Sequence, residues 1–299
     1  MTILAGLSHS VTYVAPSQVI AASPESVSMV FGGDMMFDRT VRQVMEIKSD
    51  DFIFSCIDDV LHNDDITVAN LEGPITEHAS ISVGSLPGDG SNFTFTFATS
   101  TAMLLARHHI TVVNLGNNHV VNFGTSGVRS TISLLREAGV DYFGDPIAHR
   151  VTTYAMHGVN IALIAYNEFD SGGASNAAST TRADILYQKA AGYMPIVYAH
   201  WGVEYATTSP SYVRERAHSF VDAGAMLVIG SHPHVVEDHE LYRGIPIYYS
   251  LGNFIFDQYW NDAVRNGLLV SVLLNRRGVA SVREIPIQLE HDRRTCMKK

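Results

Sequence analysis

Five stretches of this chain end an apolar run in a side chain able to hold a metal ion. Met226-Leu-Val-Ile229 is followed by Gly230-Ser-His-Pro-His234, which sets His232 and His234 one proline apart. Neutral imidazole is a common ligand of transition metals, and proline fixes one φ angle between the two rings. Val27–Phe31 leads through Gly32-Gly33 to Asp34, and Ile66–Ala69 leads to Glu72. Ile110–Val113 leads to Asn118 and His119, and Ile196–Ala199 leads directly to His200. Each taken alone has an ordinary alternative. Asp34 could cap a helix, Glu72 could be a solvated acid, and Asn118-His119 could be turn chemistry. The five together point to one site, because open α/β sheets gather ligands outside the carboxyl ends of their strands. Two carboxylates, an amide oxygen and imidazoles suit Mn, Fe or Zn better than a calcium cage or a thiolate site.

The elements that must position these groups follow from periodicity. Apolar spacing predicts helices over Arg39–Ile47, Phe52–Leu61 and Thr101–His109, and another that Thr125 or Ser126 caps and Gly139 ends. A short helix is expected over 182–191, and another from Ser209-Pro210 to about Ala223. Phe93–Phe97 alternates with period two and reads as a strand. Hairpins are expected around His157-Gly158 and Arg277-Gly278. Residues 77–92 and 171–180 read as polar loops. The strand–helix alternation gives an α/β fold.

The 299 residues suit one large domain at 27–290, after a leader at 1–26 and before a polar, frayed tail at 291–299. A net charge of −10 argues against a nucleic-acid surface. Cys56 and Cys296 lie far apart, so neither a disulfide framework nor a CxxC zinc site is expected. No stretch is long and apolar enough for a transmembrane helix. The mildly apolar leader could be the remnant of an export signal or anchor, although it lacks a basic start. The protein is then exported or associated with the cell envelope, and cytoplasmic if the leader is no signal.

The motifs Gly33-Asp34, Asn70-Leu-Glu-Gly73, Asn117-Asn-His119, His200-Trp-Gly-Val-Glu-Tyr205, Gly230–His234 and Tyr249-Ser-Leu-Gly-Asn-Phe254 keep their order over about Val27 to Val270. In this the chain resembles the CapA family of bacterial poly-γ-glutamate capsule synthesis, related in fold to the calcineurin-like metallophosphoesterases. The resemblance implies a metallophosphoesterase-like layered sandwich, with central mixed β-sheets flanked by helices. It implies Asp34 and His234 on one divalent metal, Asn118, His200 and His232 on a second, and Glu72 at the bridging position. His119 matches the histidine that protonates the leaving group. Met36 stands where the phosphoesterase Asp-x-His motif has its histidine, and Glu72 is one methylene longer than the usual aspartate. One or two ions therefore fit the pattern. Glu204 is a further candidate, as general base or ligand-orienting acid. Arg39 and Asn253 are candidates for substrate contacts. Glu237-Asp238-His239 reads as a solvated run.

Three functions fit. The first is a metal-dependent hydrolase or transferase in the biosynthesis of poly-γ-glutamate or a related envelope polymer. The second is a peptide epimerase exchanging an α-proton in the same cleft. The third is a non-catalytic polymer-binding or assembly subunit. Expected partners are an anionic polymer or a phosphoester or γ-glutamyl substrate, and membrane-bound synthase subunits.

Overall fold

Alternate residues along the central strands serve two different cores. Met29 and Phe31 face one apolar cluster and Val30 the other; Ile196 and Tyr198 face the first, while Val197 and Ala199 face a third. Side chains of successive strand residues point to opposite faces, so strands buried on both sides need continuous apolar runs. The computed structural model describes residues 11–15, 25–85 and 92–298.

In chain order these residues form β1 (Thr12–Val14), β2 (Ser26–Met35), α1 (Arg39–Ile47), α2 (Asp58–Leu61), β3 (Ile66–Leu71), α3 (Thr101–Arg107), β4 (Val112–Asn114), α4 (Gly124–Ala138) and β5 (Asp141–Phe143). They continue with β6 (Val151–Met156), β7 (Val159–Asn167), α5 (Ala174–Ala190), β8 (Met194–His200), α6 (Ser211–Ala223), β9 (Leu227–Ser231) and β10 (His239–Tyr242). The last are β11 (Ile245–Tyr248), β12 (Asn253–Ile255), α7 (Asp262–Arg265), β13 (Asn266–Asn275), β14 (Gly278–Leu289) and β15 (Thr295–Met297). One sheet runs β1-β14-β13-β2-β3-β4-β5, with β12 beside β2 and β15 beside β14; the other runs β10-β11-β9-β8-β7-β6.

The cluster shared by β2, β3, β7, β8 and β9 lies between the sheets. Helices α1 to α4 cover the outer face of the first sheet, and α5 and α6 that of the second. This is the expected layered α/β sandwich. Pairing is parallel through β2-β3-β4-β5 and through β7-β8-β9-β11. Tyr198 Oη donates to Gly32 O across the interface at 2.6 Å, tying the two parallel sets together. The carboxyl ends of β2, β3, β4, β8 and β9 therefore meet along one rim.

Several elements differ from the sequence expectation. Phe93–Phe97 is not a strand; only Phe97 bridges, to Ile75. Its amides are taken by side chains instead, Phe95 N by Asn122 Oδ1 and Thr96 N by Asp38 Oδ2. Residues 174–180, expected as loop, begin α5, whose Ala178, Thr181 and Ile185 are buried at helical spacing. Phe52–Leu61 splits into a 3-10 turn, Asp50–Phe54, and α2. Neither Thr125 nor Ser126 caps α4, which starts at Gly124, and α6 starts at Ser211 with Pro210 at its cap.

The chain ends also depart from expectation. Thr12–Val14 of the expected leader pairs in parallel with β14. Residues 1–10 and 16–24 of that segment lie outside the described residues. The tail is not frayed: β15 pairs with β14, and Cys296 forms a disulfide with Cys56 across 240 residues of chain. No described helix is long and apolar enough to cross a membrane.

A cross-link closing so long a loop restricts the unfolded chain strongly. Replacing both Cys56 and Cys296 by serine should lower unfolding stability by about 2–5 kcal/mol. Urea unfolding checks it. Reductant should move the wild-type midpoint onto that of the double variant and leave the variant unmoved.

Candidate metal centre

The rim is held close by two glycines. A Cβ on Gly33 would lie 1.9 Å from Gly252 O, and one on Gly230 would lie 1.9 Å from Tyr249 O. Only glycine lets β2 and β9 pass their neighbours this closely. Asp34, the penultimate residue of β2, is fully buried. Its Oδ1 accepts from Asn70 Nδ2 at 2.8 Å and its Oδ2 from the backbone N–H of His232 at 3.0 Å. That second bond ties the Gly-Ser-His-Pro-His turn of one sheet to the end of β2 in the other. His232 and His234 sit at φ 99° and 59°, left-handed conformations that cost non-glycine residues energy and gather at functional sites.

Seven of the expected residues meet here. Glu72, His200 and His232 bring one ligand atom each within 4.8 Å of one another, and so do Asp34, Glu72 and His234. Glu72 belongs to both sets, as its expected bridging place requires. Both of its carboxylate oxygens are buried without a hydrogen-bond partner, as is His232 Nδ1. An unpaired buried carboxylate costs several kcal/mol, and a cation between the two sets would offset that cost. The residues present fit a metal.

The imidazoles are oriented to suit. Asn118 Oδ1 can only accept, so His200 Nε2 donates to it at 2.8 Å, while Nδ1 faces Ser231 Oγ at 3.0 Å and the Asn70 Nδ2 donor at 3.3 Å. His234 Nδ1 lies 3.0 Å from Asn253 Oδ1, leaving Nε2 3.6 Å from Glu72 Oε1. His119 Nδ1 lies 3.2 Å from Asn122 Oδ1, and its Nε2 is 3.8 Å from Glu72 Oε1. Anchoring one ring nitrogen to fix what the other offers is how metal-binding histidines are aimed.

Electrostatics divide the cluster. Burial works against the charge of Asp34, but the His234 hydrogen bond, the His234 and His200 charges and the His232 amide outweigh it. They hold Asp34 well below the usual carboxylate range. Burial, then the charges of Asp34 and Glu204, push Glu72 well above its ordinary value. Burial and the charge of His232 drive His200 well down, while burial and His234 bring His232 to about 3. Burial lowers His119 to about 4. All three rings are neutral at pH 7.

Three expected residues take other places. Arg39 is 7% exposed; its guanidinium donates to Asp257 Oδ1 at 2.5 Å and Asn92 Oδ1 at 2.9 Å, between the Phe95 and Phe256 rings. Its charge is already balanced, so it is not poised to hold an anionic substrate. Asn253 is fully buried, and its Nδ2 donates to Gln258 Oε1 and Val264 O. It positions His234 rather than touching substrate. Glu204 is exposed at the rim, outside both ligand sets. Glu237, read as solvated, is 6% exposed, while Asp238 pairs with Arg214.

The sequence reading missed an amide relay. Asn114 Nδ2 and Asn117 Nδ2 both donate to Asn70 Oδ1 at 3.0 Å, and Asn70 passes the polarity on to Asp34. Asn117 Oδ1 accepts the backbone N–H of His119 and of Val120, which fixes the Asn118-His119 loop. Asn70 and Asn117 open their motifs, and that was the available signal. Phe169, whose ring centre lies 4.3 Å from that of His232, carried no signal at all.

Residues 28–258 match the bacterial capsule synthesis protein family, PGA_cap. The chain belongs to this family. It is 28% identical over 294 residues to the PGA biosynthesis protein CapA of Bacillus subtilis (strain 168), covering 93% of this chain and 75% of that protein. It is 26% identical over 312 residues to the capsule biosynthesis protein CapA of Bacillus anthracis, covering 97% and 75%. The matched span contains all the ligand positions from Asp34 to His234.

Two predictions follow from this geometry. Glu72→Gln removes the shared ligand charge but no hydrogen bond, so metal-free protein should keep its stability within about 1 kcal/mol. Elemental analysis after dialysis against Mn, Fe or Zn should show bound metal falling in both this variant and His232→Ala, and falling further in Glu72→Gln than in His232→Ala. Glu237, buried with Oε1 unpartnered, is pushed by burial and by Asp238 up to about 7 from 4.5. The folded state therefore holds its proton longer than the unfolded one, and stability is lost as pH rises from 4.5 to about 7. Glu237→Gln should remove that slope and stabilise the protein at pH 8 by on the order of 1–3 kcal/mol. Urea unfolding at pH 5 and pH 8 separates the two cases.

Proposed function

We propose that the protein acts in poly-γ-glutamate capsule biosynthesis as a metal-dependent hydrolase or transferase on the γ-glutamyl chain. The observation that carries the metal is Glu72, buried with both oxygens unpartnered between two histidine-bearing sets. The names of the two Bacillus relatives support the capsule role. Divalent ions, Mn, Fe or Zn, would supply the charge that polarises an acyl or phosphoryl oxygen and acidifies a water. Asp34, Glu72 and His234 would hold one, and Glu72, Asn118, His200 and His232 the other.

His119 serves as the proton carrier. Its neutral resting form at pH 7 makes it a base first. It takes at Nε2 the proton that the attacking water gives up and returns it to the leaving amine. Asn122 keeps that nitrogen aimed at the cleft, and Phe95, with its ring centre 4.5 Å away, keeps bulk water off the ring. Glu204, exposed and outside both ligand sets, is assigned to substrate rather than to metal in this reading.

The Cys56–Cys296 disulfide supports a location outside the cytoplasm, since such bonds persist in oxidising compartments. Membrane-bound synthase subunits are the partners this location suits.

The test is turnover of γ-glutamyl oligomers and of a phosphoester panel by metal-loaded protein. His119→Ala should lower kcat on the γ-glutamyl substrate by about 10²–10⁴-fold with metal content unchanged. Deuterium uptake without cleavage would transfer the same residues to epimerisation. No turnover of any substrate by metal-replete protein sinks the enzymatic reading.

A further inference from the structure

The chain carries ten net negative charges, yet two arginines without a carboxylate partner among the described residues, Arg129 and Arg136, lie on one flank beyond the metal centre. Asn118 and Phe169 wall the cleft beside His200 and His232. The same two residues wall a cavity of about 340 Å³, which Gly116, Ile147, Ala177 and Thr180 also line. That volume is within the ordinary range for a ligand pocket. The loop 144–150 forms one wall. Asp145 on this loop is buried, and its carboxylate accepts the backbone N–H groups of Ile147, Ala148 and His149 at 2.8, 3.0 and 2.9 Å. Its charge is held inside the loop.

The same loop walls a second hollow, about 430 Å³, lined by Arg129, Arg136 and His149. Arg129 and Arg136 are two turns apart on α4, so they share one face at a spacing of about 10 Å. Neither has a carboxylate partner among the described residues. Arg136 donates to Tyr142 Oη at 2.5 Å, and Arg129 is exposed. Arg150, on the wall of the first cavity, is half-exposed and pairs with Asp184 at 3.1 Å. Asp170 also lines that cavity, with Oδ1 accepting from Gly172 N at 2.7 Å. The arginines form a row rather than one concave cradle, which suits an extended polyanion better than a single small anion.

We propose that an extended polycarboxylate leaves the metal cleft through the 340 Å³ cavity, passes Arg150, whose charge Asp184 balances, and lies along Arg136 and Arg129. The occupant rests on the γ-glutamyl substrate proposed above. Interactions across about 10 Å survive at low ionic strength and are screened at high. The row therefore adds affinity with chain length and loses it with salt, and the chemistry at the metal centre does not depend on it.

The experiment measures binding of end-labelled γ-glutamyl polymer by fluorescence anisotropy, using metal-loaded full-length protein. R129E/R136E should weaken polymer binding at least about tenfold at low salt. A short γ-glutamyl oligomer should lose nothing, and high salt should erase the difference. Arg129→Gln, on an exposed and unpartnered side chain, should shift affinity in the same direction by less. R243E/R277E changes net charge equally at the opposite end of the sheets and should leave affinity unchanged. Equal loss for the short oligomer, equal loss in the control, no loss in R129E/R136E, or no polymer binding by wild type overturns the proposal. Polymer cleaved normally with unaltered affinity in R129E/R136E sinks the track and leaves the hydrolase reading. Polymer bound through these arginines but never cleaved sustains the track and removes that reading.

Discussion

Two carboxylates buried at one end of two sheets set the terms for everything around them. Asp34 is stabilised by neighbours that donate to it; Glu72 has none. Burying an ionised carboxylate without a partner costs several kcal/mol, and that burial, with the charge of Asp34 beside it, pushes Glu72 well above its ordinary value. The surrounding fold keeps that vacancy in hydrogen bonding from collapsing. Gly33 and Gly230 allow the strands to approach, Tyr198 Oη bridges the sheets, and the His232 amide binds one sheet's turn to the other sheet's acid. A looser interface would let the Glu72 carboxyl swing toward a backbone donor, and the charge demand that selects a cation would be gone.

The strand ends were legible because each combines two independent signals. An apolar run reports burial on both faces, and a glycine or asparagine with a ligand-type residue after it reports a rim. Parallel strands share a polarity, so their carboxyl ends must meet, and five such ends could be assembled without coordinates. The relay through Asn70 and Asn117 was less legible, because an amide in a motif does not say which of its atoms is used. The Cys56–Cys296 bond could not be read from two cysteines whose separation in sequence says nothing about their separation in space. The first turns of α5, before the expected 182–191, were missed for a compositional reason: serine, threonine and asparagine favour turns, and the buried Ala178 and Thr181 are too small to mark an apolar stripe. Phe93–Phe97 failed in the opposite way, since its alternation is real but Asp38 and Asn122 capture the amides a strand would need.

Arg39 shows how a charged residue near a site can mislead. From sequence it is a cation at the start of a helix with no marked partner; in the fold Asp257 comes to it from 218 residues further on. The pair is buried between two aromatic rings, where it fixes the path of the chain after β12 and adds positive potential beside Glu72 and His119. It acts on the site through space, without being available to it.

The two ligand sets are not equivalent, and Met36 is the reason. A histidine there would have given the Asp34 set a second imidazole. Met36 is instead fully buried, with its sulfur accepting the Asp38 N–H at 3.0 Å, and so belongs to the start of α1. Asp34, Glu72 and His234 are left, a set rich in carboxylate, while the other side has Asn118, His200 and His232 with Glu72. Oxygen-rich sets favour harder ions and nitrogen-rich sets softer ones. The loss of one imidazole does not by itself empty the first position, because two buried carboxylates still need a countercharge. Asn253 compensates on the geometric side: its Nδ2 donates to Gln258 Oε1 and Val264 O, so the oxygen that holds His234 Nδ1 is itself fixed in place. A cation in the first set would therefore depend on charge and on that anchoring, and one in the second on its imidazoles.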